Sequence, residues 1–111
     1  MTSLNTTLND IIIQLQSQIC FLEDFISERN ELITYLEVLY SDILARKIRF
    51  EALMGTRHAH EPDDIVRYQS ICFMLLDIEA CIEEMRDRLL DYDMEFDGLW
   101  RQLRAAVLAE Q

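Results

Sequence analysis

Residues 18–43, QICFLEDFISERNELITYLEVLYSDI, decide the fold, because their large apolar side chains recur at alternating intervals of three and four residues. This spacing is the heptad repeat of a coiled coil, in which positions a and d face a partner helix. The repeat extends from Leu8 to Met54, with isoleucine at a and leucine at d over most of its first half, and only Arg29 and Lys47 interrupt it. A repeat held this long predicts a coiled-coil helix.

The second half of the chain carries the same repeat, which is uninterrupted from Tyr68 to Ala106. Gly55 and Pro62 lie between the two halves, and glycine commonly ends a helix while proline commonly begins one. With only these two helices, the sequence predicts an all-α fold. The predicted organisation is one helical-hairpin domain, residues 1–111, with a helix at about 6–54, a turn at about 55–62 and a helix at about 63–109.

The two helices are expected to pair antiparallel, because the short turn returns the chain along itself. In the register that brings both helix ends level, Phe50 faces Tyr68 and Leu15 faces Leu103. Isoleucine at a with leucine at d also favours parallel two-stranded pairing. A parallel homodimer through the first helix is therefore the alternative architecture.

Charged residues beside the seam do not support this pairing. In the same register Glu37 approaches Glu79, and Glu23 approaches Asp93, so each pair repels. Either the register differs or this edge of the hairpin meets a basic partner. The interruption at Arg29 has two interpretations: a side chain that extends its charged end into water, or a buried polar residue that fixes the partner or the register.

The two seams account for fewer than half of the apolar residues, although half of the 111 residues are apolar. Beside the first seam, apolar side chains recur every seven residues, and further ones lie off the second seam. A row of this kind cannot be covered by two helices alone, so we expect a second copy or other helical subunits to cover it and form a larger helical bundle. The predicted contact residues are Phe25, Leu32, Leu39, Met74 and Trp100. Other apolar side chains lie farther round the first helix, at Ile13, Phe21, Tyr35, Val38 and Ile48.

The chain is strongly acidic, with a net charge of −11 from 21 acidic and ten basic residues. Direct nucleic-acid binding is disfavoured, because phosphate contacts require lysine and arginine. Asp77, Glu84 and Asp91 recur every seven residues on one face of the second helix. This acidic strip has two interpretations: a solvated face that keeps an apolar protein in solution, or a docking strip for a basic protein surface.

Catalytic, metal and membrane signatures are weak. The sequence contains no glycine-rich phosphate loop and no Ser/His/Asp arrangement, so we expect no enzymatic activity and no cofactor. His58, His60 and Glu61 are better explained as a polar turn than as a metal site. No apolar run approaches the roughly 20 residues of a membrane-spanning helix. The odd count of three cysteines indicates a reduced intracellular compartment, cytoplasmic or nuclear.

These features together predict a non-enzymatic interaction subunit, a coiled-coil hairpin that assembles with itself or with other helical subunits as a scaffold or spacer. The general form is similar to the small acidic helical-hairpin subunits of cytoskeletal, kinetochore and membrane-tethering complexes, a similarity of architecture that transfers no function. The alternative is a small acidic inhibitor, for example a viral one, whose negative strip mimics nucleic acid and blocks a basic groove.

Overall fold

The protein consists of two long helices. A computed structural model describes residues 2–56 and 61–110, with side chains described from residue 7 onward. The helices are α1 (Thr2–Gly55) and α2 (Pro62–Glu110), and of the described residues only Thr56 and Glu61 lie outside them. The predicted all-α hairpin of two helices is therefore confirmed. In the described part of the chain, neither helix has a stretch long and apolar enough to cross a bilayer.

Helix α1 ends through hydrogen bonds of the residue that follows it. The backbone N–H and the hydroxyl of Thr56 both donate to the Leu53 carbonyl oxygen, at 3.2 Å and 2.7 Å. These bonds satisfy a carbonyl that a helix end otherwise leaves without a partner. Gly55 does not adopt a positive φ, so its contribution here is not the left-handed cap that glycine often provides.

Helix α2 begins at Pro62, whose fixed φ suits the first position of a helix. The Glu61 carbonyl oxygen accepts the backbone N–H groups of Asp64 and Ile65, at 3.0 Å and 3.4 Å, and so starts the helical hydrogen-bond ladder. Asp63 and Asp64 lie in the first turn, where a negative charge interacts favourably with the helix dipole. The predicted polar turn with His58 and His60 falls in residues 57–60, outside the described residues.

The packing of the helices divides into two compact units. Unit 1 consists of Met1–Asn30 with Asp87–Gln111, and unit 2 consists of Glu31–Arg86. Each unit therefore pairs one segment of α1 with one segment of α2. The single domain expected from the sequence stays a prediction.

Unit 1 has an apolar core built from both helices. Leu15 and Ile19 of α1 and Leu103 of α2 are buried in one cluster, as the predicted register requires. Ile19 is the most buried of the three, with 4% of its surface exposed. Partly buried neighbours complete the cluster: Ile12, Phe96, Leu99 and Ala106.

Unit 2 repeats this arrangement between its own helix segments. The rings of Phe50 and Tyr68 stack with centroids 6.3 Å apart and planes 17° apart, at the predicted facing positions. Arg86 contacts Glu37 at 2.9 Å nearer the other end of unit 2, so the two segments are antiparallel. The buried apolar side chains of unit 2 are Ile33, Ile43, Leu75 and Ile82.

Position on the heptad repeat determines burial in both units. Every apolar side chain on the two predicted seams is buried or half-buried. The large apolar side chains that are exposed all lie off the seams. The seams therefore contain every buried apolar side chain of the described residues, and the apolar residues off the seams are half-buried or exposed.

The core assignment predicts unequal effects for the same substitution at two positions of α1. Ile19→Ala removes a buried side chain and is expected to lower the free energy of unfolding by about 2–4 kcal/mol. Ile13→Ala removes one that is 60% exposed, so a change below about 0.5 kcal/mol is expected. Urea denaturation followed by circular dichroism at one protein concentration measures both. Equal losses would contradict the assigned core.

A substitution at Gly98 is expected to stabilise the protein. Gly98 lies within α2, and a Cβ added there meets nothing within 4 Å. Glycine in a helix interior is less favourable than alanine by about 0.8–1 kcal/mol. Gly98→Ala is therefore expected to raise the free energy of unfolding by up to about 1 kcal/mol, measured in the same denaturation experiment. A loss of stability would mean that a neighbour occupies this position.

Candidate functional site

The candidate site consists of two surface grooves, one in each unit. The unit 1 groove has a volume of about 590 Å³ and combines aromatic walls with one carboxylate. Phe25 and Tyr92 meet edge to face across it, with ring centroids 4.9 Å apart and planes 78° apart. Phe21 is 74% exposed at the groove, so a large aromatic surface faces solvent. The lining residues are Ser17, Gln18, Phe21, Leu22, Phe25, Tyr92, Glu95 and Leu99.

The unit 2 groove has a volume of about 440 Å³ and is lined by apolar side chains and three charged ones. Leu39 from α1 is half-buried and Met74 from α2 is 45% exposed, so both present apolar surface. Asp42 and Asp77 are exposed and add one carboxylate from each helix. The remaining lining residues are Ile43, Arg46 and Ile78.

The predicted contact residues are divided between these surfaces. Phe25 lines the unit 1 groove, and Leu39 and Met74 line the unit 2 groove from opposite helices. Leu32 is 40% exposed in unit 2 but does not line its groove. Trp100 packs edge to face on Phe96, one turn earlier in α2, and lies outside the unit 1 groove. The site therefore contains three of the five predicted contact residues.

The predicted acidic strip is divided in the same way. Asp77 lines the unit 2 groove, whereas Glu84 of unit 2 and Asp91 of unit 1 line neither groove. All three carboxylates are exposed. The structure thus brings Asp77 of the predicted acidic strip together with the predicted apolar contacts Leu39 and Met74.

Sequence reasoning missed Asp42 as a groove residue, although a signal for it exists. Residues 39–43 read LYSDI and residues 74–78 read MLLDI, so each helix carries an apolar residue, an aspartate three residues later and then isoleucine. In the structure the first residue lines the wall, the aspartate adds charge, and the isoleucine is buried or half-buried. Comparing the two segments would have identified Asp42.

Arg29, the first residue that interrupts the apolar seam, is not buried. Its side chain is exposed, and its guanidinium carbon lies 4.8 Å above the Phe25 ring centroid. The aromatic ring attracts the cation electrostatically, so the arginine stem covers apolar surface while its charged end meets water. Of the two predicted interpretations, the structure supports the solvent-directed side chain.

Glu37, which the sequence places opposite Glu79, forms an attractive contact with another residue of α2. Glu37 accepts a hydrogen bond from the Arg86 guanidinium at 2.9 Å, across the two helices. Arg86 lies seven residues beyond Glu79, the residue expected to repel Glu37. Both partners are about half exposed, so the pair contributes roughly 0.2–1 kcal/mol. This edge therefore carries an attractive contact that supports pairing of the two helices.

Tyr68 has the one strongly shifted pKa among the described residues. Its hydroxyl donates a hydrogen bond of 2.9 Å to Glu51 Oε1. This bond, with smaller contributions from desolvation and the Glu51 charge, raises the pKa of Tyr68 to about 12. Glu51 also pairs with Lys47 at 3.8 Å, which places the second interrupting residue of the seam beside a carboxylate.

In residues 2–56 and 61–110, no three His, Cys, Asp or Glu side chains are grouped so that they could bind a metal ion. The three cysteines are free thiols, with Cys20 and Cys81 exposed and Cys72 half-buried. The two grooves offer apolar contact and carboxylate charge.

No family model matches the sequence, and neither the curated proteins nor the solved structures contain a significant match. Function must therefore be inferred from the surfaces of the two units.

The Tyr68 contact predicts a specific titration. Because the hydrogen bond raises the pKa above the unfolded value of about 10, its contribution to stability is present below about pH 10 and disappears as the pH rises through about 12. Glu51→Gln is expected to lower the Tyr68 pKa toward its ordinary value. Glu37→Gln removes another exposed glutamate and should leave it unchanged. Resonances of ¹³C-labelled tyrosine report each pKa, and a wild-type value near 10 would contradict the contact.

Proposed function

We propose that the protein is a non-enzymatic interaction subunit, a helical hairpin that packs on further helices and serves as a scaffold or spacer. The observation that carries this proposal is the apolar surface left after α1 and α2 have packed. Phe21 is 74% exposed, Met74 is 45% exposed and Leu32 is 40% exposed. Single exposed apolar residues are normal, but a series of them beside apolar grooves is typical of protein contact surfaces.

Exposed apolar side chains on both helices support the same proposal. Tyr35 is 63% exposed on α1, and Phe73 is 64% exposed on α2. Covering apolar surface is favourable by about 25 cal/mol per Å², so additional helices on these faces would stabilise the protein considerably. A second copy could form a four-helix bundle, and helices of other subunits could complete a mixed one.

The free thiols support an intracellular setting, because the cytosol and nucleus keep cysteines reduced. Both grooves are shallow channels between two helices rather than enclosed pockets with converging polar groups. Such channels suit a helix laid along them, with its apolar residues in the groove. We therefore assign the protein a binding role without catalysis, cofactor or direct nucleic-acid contact.

The acidic inhibitor is the second candidate, and the exposure of Asp77, Glu84 and Asp91 favours it. An electrostatic mimic would hold its partner through charge, so its affinity should fall steeply as salt increases. Apolar packing should persist or strengthen under the same conditions. Salt dependence of the assembly therefore separates the two functions.

The scaffold proposal predicts that the purified chain is an oligomer or completes its folding with a partner. Leu32→Glu combined with Leu39→Glu places charge on the predicted contact row and should disperse the assembly. Light scattering coupled to gel filtration measures the molar mass, and circular dichroism across a dilution series measures helicity. Where the chain assembles with itself, its mass and helicity should fall together on dilution, since association and folding are coupled.

Leu76→Glu combined with Leu90→Glu is the matched control, because these leucines are 60% and 63% exposed and line neither groove. This variant should keep the wild-type mass. A fully helical wild-type monomer that persists at micromolar concentration, and whose apolar row tolerates the two glutamates, would overturn the scaffold proposal.

A further inference from the structure

The unit 2 groove combines apolar and acidic surface in a regular arrangement. Leu39 and Met74 form its apolar walls, one on each helix. Asp42 lies three residues after Leu39 in the sequence, and Asp77 lies three residues after Met74, so each helix adds one carboxylate close to its apolar wall residue. Neither aspartate forms an ion pair or hydrogen bond through its side chain within the described part of the chain. The groove thus offers apolar contact beside two carboxylates that form no ion pair within the described residues.

Charge decides what kind of helix this groove accepts. A second copy would bring the same carboxylates and another net charge of −11 to the contact. Like charges placed opposite each other at an interface cost free energy and suppress that pairing. Basic side chains on the incoming helix would instead be attracted to Asp42 and Asp77. The surface therefore favours a partner of different sequence over self-association.

We propose that the unit 2 groove binds a basic amphipathic helix of another protein. This inference rests on the proposed function and names the chemistry of the partner. The apolar residues of the bound helix, spaced by three and four, pack on Leu39 and Met74 over the floor formed by Ile43 and Ile78. Lysine or arginine residues that flank this stripe pair with the two aspartates.

The two edges of the groove differ in charge because Arg46 lies on the α1 edge. It lines the groove one turn after Asp42 on α1, so it partly offsets that carboxylate. The α2 edge has no such cation: the residue four positions after Asp77 is Cys81. The basic residues of the partner therefore concentrate on the α2 side, where Asp77 attracts them most strongly.

The test uses the full-length protein and two labelled probe peptides of equal length. One has leucines at helical spacing with lysine elsewhere, and the other has the same leucines with glutamate. Fluorescence anisotropy measures each Kd at low and at high salt. We expect the leucine–lysine peptide to bind and the leucine–glutamate peptide to bind at least about tenfold more weakly, because several charge contacts are reversed.

Two matched pairs of variants locate the binding. Asp42→Asn with Asp77→Asn should raise the Kd of the leucine–lysine peptide at least about threefold at low salt. Glu79→Gln with Glu83→Gln removes the same amount of negative charge at positions outside the groove. This variant should raise the Kd of the leucine–lysine peptide less than the aspartate variant does. Leu39→Ala should weaken binding more than Leu76→Ala, and circular dichroism confirms that each variant stays helical.

Several outcomes overturn the inference. If the two charge variants lose the same affinity for the leucine–lysine peptide, the peptide is attracted by the overall acidity of the protein and not by the groove. If both peptides bind equally well to the wild type, charge does not select the partner. If the chain forms a stable oligomer and neither peptide binds, a second copy occupies the groove: the scaffold function then stands while this inference fails. If the chain is a monomer that tolerates charge on its apolar row yet discriminates the peptides, the scaffold function fails instead.

Discussion

Packing of apolar side chains between α1 and α2 is the interaction on which each unit depends. A two-helix structure has no other layer in which to build a core, so every residue that is buried must lie on one stripe of each helix. The structure follows this constraint closely, since Leu15 and Ile19 of α1 meet Leu103 of α2 while Ile13 and Phe21 remain exposed. Among the side chains that the structure describes, none is less than 2% exposed. Even the core is therefore thin, and its stability depends on few contacts.

This constraint explains why the seam was predictable from sequence. The heptad repeat states which side chains share a face, and it needs no knowledge of side-chain conformation. The stacked pair Phe50 and Tyr68 followed from the same repeat once the turn fixed the antiparallel register. The edges were less predictable, because long side chains reach beyond the residue directly opposite. Glu37 pairs with Arg86, which is not the residue directly opposite it, and this pairing depends on side-chain geometry.

The grooves depend on that geometry as well. The repeat placed Phe25, Leu39 and Met74 beside the seam, but which of them share a groove depends on rotamers and on neighbouring side chains. Phe21 shows the limit: the sequence places it farther round α1 than Phe25, yet it lies one helical turn away and lines the same groove. Heptad letters describe a helix in cross-section, whereas a groove also has length along the helix.

The proposed function follows from how apolar surface and charge are combined. A chain that exposes this much apolar surface would aggregate without specificity unless something opposed random association, and a net charge of −11 does so between like copies. The same charge attracts a basic partner over distances of about a Debye length, roughly 10 Å at 0.1 M salt, before the apolar side chains touch. In the proposed complex, charge governs which helix approaches and how fast, while contact with Leu39 and Met74 governs how long it stays bound. Under this proposal, separating the two roles keeps an acidic, apolar hairpin dispersed until its partner is present.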